Sequence, residues 1–190
     1  MKNIHKFYTR LFYVFLISTG LFACDYEELQ DADYPESMLY MPTSFSGIYN
    51  IAEEPDTVSV PTDGTPYRYY IDNANGSLEI PLGVYRGGIN LSSSFVVAIT
   101  ADTDTINQMI SSGELDGTTV LPESAFSVPG EVTIASGQES VKFNLSVNMD
   151  FINAHQSEKF AIGIGITSDE AEVNSELKTT IVFLDLAQIE

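Results

Sequence analysis

Four side chains make the case for a binding patch. In "YRYYID", residues 67–72, Arg68 and Tyr70 alternate with Tyr67 and Tyr69, and further on Tyr85 is followed directly by Arg86. Tyrosine offers an apolar ring face and a hydroxyl, and arginine offers a fork of donors. That combination suits a sugar, whose C–H face is apolar and whose hydroxyls need partners. Arg68, Tyr70, Tyr85 and Arg86 are therefore the candidate outward ligand-binding residues. The chain has no Trp, so any stacking falls to tyrosine or phenylalanine. The competing reading is that these tyrosines cover the edge of the fold with their hydroxyls in water, as half-buried tyrosines do.

Residues for catalysis are sparse. Beyond the first 23 positions the one histidine is His155, in the polar stretch "NAHQSE", and no GxSxG, HExxH or CxxC accompanies it. A lone histidine without a nucleophile or an orienting carboxylate reads as a loop residue. Paired carboxylates for glycoside cleavage need a set separation across a cleft, which composition does not reveal. "DTDT" at 102–105 and "SDEAE" at 168–172 offer oxygens of the kind calcium takes, without the spaced acids and glycine of an EF-hand loop. A helix cap explains the first and a solvated loop the second. The expectation is a protein that is not an enzyme, with no cofactor and no resident metal.

The only cysteine, Cys24, sits between an apolar run and an acidic one. Lys2, Lys6 and Arg10 precede an uncharged stretch from Leu11 to Ala23. At 13 residues that stretch is short of the ~20 a membrane span needs. Residues 1–23 therefore read as a signal peptide. Leu21-Phe22-Ala23-Cys24 resembles the bacterial lipobox, which implies acylation of Cys24 and attachment to outer-membrane lipid. Three of the eight basic residues leave with that segment, so five face 27 acids. Such a chain repels phosphate backbones, which argues against a nucleic acid partner. Residues 24–36 carry six acids and no base and read as a tether. Within it, Asp25, Glu27 and Glu28 resemble the acidic surface-export signal of lipoproteins in the Bacteroidota.

The remaining residues, 37–190, must hold whatever site exists, and their main signal has period two. Val141, Phe143, Leu145, Val147 and Met149 alternate with polar residues; Leu78, Ile80, Leu82 and Val84 do the same after an Asn75-Gly76 turn. "EVTIASGQESVKF" reads as a second hairpin turning at Ser136-Gly137-Gln138, and "FVVAIT", "KFAIGIGIT" and "TTIVFLDL" read as central strands. Pro81 suggests an edge strand or a bulge. Gly163 and Gly165 share a face with Ala161 and leave room for a close neighbour. One short helix is expected over 102–114, capped by Asp102 or Asp104 and stopped by Gly113. The sum is an all-β domain, a two-sheet antiparallel β-sandwich of immunoglobulin-like type, with a closed barrel as the alternative.

Residues 121–184 resemble the N-terminal β-sandwich domain of unknown function found in many Bacteroidota surface lipoproteins. The matching features are Leu121-Pro122, Phe126, the Val132-Thr133-Ile134 run with Gly137, the 141–149 strand, and Ile164, Ile166 and Ser168. "SMLYMP" at 37–42 resembles that family's opening strand. Asp56-Thr57-Val58 and Asp104-Thr105-Ile106 resemble the O-glycosylation acceptor of exported proteins from the same phylum. The resemblance implies a noncatalytic accessory at the cell surface, lipid-anchored in the outer membrane. It would bind or scaffold polysaccharide beside neighbouring uptake proteins. A structural adhesin or pilus-like subunit is the alternative.

Overall fold

The computed structural model describes residues 37–51, 57–62, 65–88 and 90–189. In chain order the strands are β1 (Met38–Tyr40), β2 (Ile48–Ile51), β3 (Thr57–Thr62), β4 (Thr65–Tyr67), β5 (Tyr70–Asp72), β6 (Ser77–Arg86) and β7 (Phe95–Asp102). They continue as β8 (Thr119–Val120), β9 (Phe126–Ser127), β10 (Glu131–Ile134), β11 (Ser140–Asn148), β12 (Lys159–Thr167), β13 (Glu172–Val173) and β14 (Thr179–Asp185). Among the described residues two α-helices interrupt them, α1 (Thr103–Ser112) and α2 (Met149–Ala154). Cys24, Asp25, Glu27 and Glu28 lie outside the described residues.

The long alternating runs pair with each other. β6 and β11 lie antiparallel with Leu78 opposite Val147, Ile80 opposite Leu145, Leu82 opposite Phe143 and Val84 opposite Val141. Every second side chain of both strands thus points into one core. Burying each such side chain contributes ~1.5–3 kcal/mol, which fixes the register against a one-residue slip. Around this pair the first sheet runs β13-β1-β6-β11-β9, with β5 also on β6; the second runs β10-β7-β12-β14-β2, with β8 also on β12. β3 and β4 form a separate ribbon. The two sheets face each other as a β-sandwich. Most pairings are antiparallel, but β1 with β13, β2 with β14 and β8 with β12 are parallel.

Three local readings need correction. β10 and β11 are not a hairpin: β10 pairs with β7 in the second sheet, while β11 pairs with β6 and β9 in the first. The turn at Gly137, with φ of 81°, carries the chain across the sandwich, and its N–H donates to Leu91 O. A glycine turn between two alternating runs serves an arch as well as a hairpin. Pro81 is not on an edge either, because β6 is flanked on both sides. It faces Asn144 of β11 and falls between the residues of β6 that pair with β5 and those that pair with β1, so no bond of either ladder needs its missing N–H. Finally, Met149 starts α2 rather than ending β11, since the Asn148 side chain accepts from Asp150 N and caps a second helix.

The hairpin of β5 and β6 does form. Asp72 pairs with Ser77, and Gly76 has φ of 66°. Asp72 accepts from the Asn75 side-chain amide and from the backbone N–H groups of Asn75 and Ala74. These bonds, the Asn75 side chain first, hold its carboxyl below the ordinary carboxylate range.

α1 forms where its cap and stop signals place it. Asp102 accepts from Thr105 N at 3.0 Å and Thr105 Oγ1 at 2.7 Å, and Gly113 closes the helix at φ of 84°. Asp102→Ala is expected to lower stability by ~1 kcal/mol; urea unfolding of the single variant measures it. The helix packs on the outward face of the second sheet, where Ile106, Leu115, Ala161 and Ile181 make a small second core. The small residues Ala161 and Gly163 let it approach.

Candidate functional site

The outward face of the first sheet is built from the residues of β6 that the core does not take. Tyr85 of β6 lies opposite Tyr40 of β1, and their rings sit 6.1 Å apart. Tyr40 in turn meets Phe45 edge to face, again at 6.1 Å and with the planes at 73°. Phe45 is 69% exposed. It is held there by the 3₁₀ turn Pro42–Ser46, which starts at a proline and ends before Gly47 with φ of 68°. The turn is fastened to β14: buried Thr43 shares a 2.6 Å hydrogen bond with Thr180, and Ser44 Oγ donates to Thr179 O at 2.9 Å. The result is a row of three aromatic rings, two of them half-buried on strands of the first sheet and one open on the turn.

The four residues expected to form one patch do not do so. Tyr85 belongs to the row. Arg86 does not face outward: it is 4% exposed, and its guanidinium donates to Ser93 O at 2.7 Å and Leu91 O at 2.8 Å beside the Phe95 ring. Consecutive residues of a strand point to opposite faces, so Tyr85 outward requires Arg86 inward. Arg68 and Tyr70 also diverge, because the chain leaves strand geometry at Arg68 and Tyr69. Arg68 reaches across to Asn50 O at 2.8 Å and lies over the Tyr49 ring. The Tyr70 hydroxyl accepts from Asn144 Nδ2 at 2.9 Å. Next to it Glu79, 8% exposed, accepts from Ser77 and Ser146. Tyr70 thus braces a satisfied polar network, six residues along β6 from Tyr85, roughly 20 Å at strand rise.

Sequence reasoning missed Tyr40 and Phe45. The available signal was "SMLYMPTSFSG", where Tyr40 alternates with the core residue Leu39 and a proline opens a turn around an apolar ring.

The other candidates resolve into structural roles. His155 stacks on Phe151 at 4.2 Å and closes α2. Asp102 caps α1 and holds the Thr105 hydroxyl; Glu170 accepts from Val96 N. Among the described residues no three metal-ligating side chains converge. No described helix is long and apolar enough to cross a membrane.

Residues 41–173 match the model of an N-terminal-domain family. The sequence matches no curated protein. Among solved structures, the fold resembles a Bacteroides ovatus protein described as a candidate carbohydrate-binding protein, at 11% identity and TM-score 0.55, over 77% of this chain and 36% of that one. An auxiliary nutrient binding protein of Bacteroides thetaiotaomicron aligns at 19% identity and TM-score 0.47, over 72% and 43% of the two chains. An enzyme of the same species, solved with a Man5GlcNAc product, aligns at 13% identity and TM-score 0.44, over 57% and 26%. The chain thus spans less than half the length of each of these structures. At these identities the likeness is one of fold.

Proposed function

We propose a function from one premise: the chain belongs to this family of N-terminal domains, a β-sandwich domain of unknown function in the Bacteroidota. It acts as a noncatalytic glycan-binding or scaffolding accessory of a polysaccharide-uptake system, anchored in the outer membrane through an acylated Cys24 and exposed at the cell surface. The observation that carries this reading is the ring row of Tyr85, Tyr40 and Phe45. Rings held on two strands and a tied-down turn offer successive sugar units apolar faces at little cost in side-chain order. The carbohydrate-binding description of a Bacteroides ovatus protein that shares part of the fold supports it further.

The test is affinity electrophoresis of the chain through gels loaded with individual polysaccharides. Tyr85→Ala or Phe45→Ala is expected to weaken retardation about tenfold, which corresponds to ~1.4 kcal/mol of lost ring burial. Equal retardation of wild type and both variants would remove the row from the account.

A further inference from the structure

A concavity lies on the second sheet, between the outward face of β2 and β14 and the loop that follows α1. Its volume is about 390 Å³, within the ~300–1,000 Å³ of small-molecule sites. Ile48 and Phe183, with Leu115 from the loop, line its apolar part. Asn50 stands opposite Phe183 in register, and Lys159 enters from β12, 3.6 Å from Asp185. The loop adds Glu114 and Asp116.

Thr118 also lines this cleft. It is 8% exposed, and its hydroxyl has no hydrogen-bond partner. Native folds seldom leave such a group unsatisfied without a reason. A turn about the Cα–Cβ bond exchanges the hydroxyl with the methyl between staggered positions, so a polar ligand in the cleft can supply the missing partner.

We propose that this cleft binds a neutral hexopyranose unit. The proposal takes its ligand class from the glycan reading above and none of its residues from the aromatic row. A pyranose has an apolar face for Phe183, Ile48 and Leu115, and hydroxyls that both donate and accept. Those hydroxyls match the mixed set of amide, carboxylates, ammonium and hydroxyl around the rim. An anionic sugar meets Glu114 and Asp116 on a chain of formal net charge −19. A purely apolar ligand leaves the Thr118 hydroxyl and the rim without partners.

The experiment is an NMR titration of the ¹⁵N-labelled chain with neutral methyl hexopyranosides, and with glucuronate as the charged comparison. Saturable shifts are expected at the amides of Asn50, Thr118, Lys159 and Phe183 with at least one neutral sugar, and at least fivefold weaker binding of glucuronate. Thr118→Val removes the hydroxyl at nearly constant shape. It is expected to weaken the neutral sugar about fivefold while raising Tm by a few degrees, because an unsatisfied buried group is gone. Asn50→Ala, at an exposed position, repeats the affinity test independently of any folding effect at Thr118. No saturable shifts at these amides, preference for glucuronate, or unchanged affinity in both variants would overturn the proposal. Cleft shifts that persist in Tyr85→Ala uphold the cleft whatever the fate of the row. Polysaccharide retardation without cleft shifts overturns the cleft and leaves the row standing.

Discussion

Arg86→Ala is expected to destabilise the domain by ~3 kcal/mol, although the residue lies at the end of a strand and donates to backbone carbonyls rather than to a carboxylate. The guanidinium donates to two loop carbonyls, Ser93 O and Leu91 O, and lies 5.5 Å from the centre of the Phe95 ring. Hydrogen bonds from a charged donor each contribute ~1.5–3 kcal/mol, and a ring contact about 0.5–2 more. Relief from burying the charge offsets part of that sum, which is why the net is set near the value of one strong bond. The loop from 91 to 93 joins the two sheets, so its release loosens both β6 and β7. Arg86→Met separates the contributions: it keeps much of the packing stem and loses the donors. It is expected to fall between wild type and alanine in urea midpoint. A midpoint equal to wild type in Arg86→Ala would mean that these carbonyls are as well served by water.

Gly163→Ala is expected to cost a similar amount, ~2–3 kcal/mol, for a steric reason. A Cβ built at Gly163 comes within 2.6 Å of Asp102 O and 3.1 Å of Asp102 Cβ. The first of these is backbone, so relief requires moving the end of β7 away from β12. Asp102 is also the residue that caps α1, and a shift there disturbs helix and sheet together. Gly165 lies two residues along on the same face, but a Cβ there meets Thr100 Oγ1 and Thr179 Oγ1 at 3.5 Å, an ordinary contact. Gly165→Ala is therefore expected to stay within about 0.5 kcal/mol of wild type, or to gain slightly from reduced freedom of the unfolded chain. Thermal unfolding of the two variants side by side reads the contrast. Equal effects would mean that the close approach at Asp102 is not what excludes a side chain.

The same glycine shows how far the sequence was legible. Ala161, Gly163 and Gly165 on one face of an apolar strand announced a close neighbour, and that neighbour is the end of β7 with α1 behind it. The alternation in β6 and β11 was readable because burial on one face imposes period two along the whole strand. The cap at Asp102 and stop at Gly113 were readable because both act within one helical turn.

What escaped depends on partners distant in sequence. Whether the Gly137 turn makes a hairpin or an arch is decided by β7 and β6, which claim β10 and β11 for different sheets. The aromatic row joins Tyr40, Phe45 and Tyr85 across some 40 residues, and only the β1–β6 register brings them together. Arg86 and its neighbour Tyr85 were assigned to one face, although consecutive strand residues point to opposite faces and Arg86 is buried. There the alternation itself held the answer. α2 was missed for the opposite reason: six residues carry little periodicity, and a single Asn148 cap is a slight signal.

The measurement that bears most directly on the central claim is affinity electrophoresis and product analysis of the full chain against a panel of polysaccharides. The expected result is retardation by at least one polysaccharide class, weakened about tenfold in the Tyr85→Ala and Phe45→Ala proteins, with the polymer recovered at its original length. Absence of retardation across the panel would contradict the binding role, and shortened polymer would contradict the noncatalytic one.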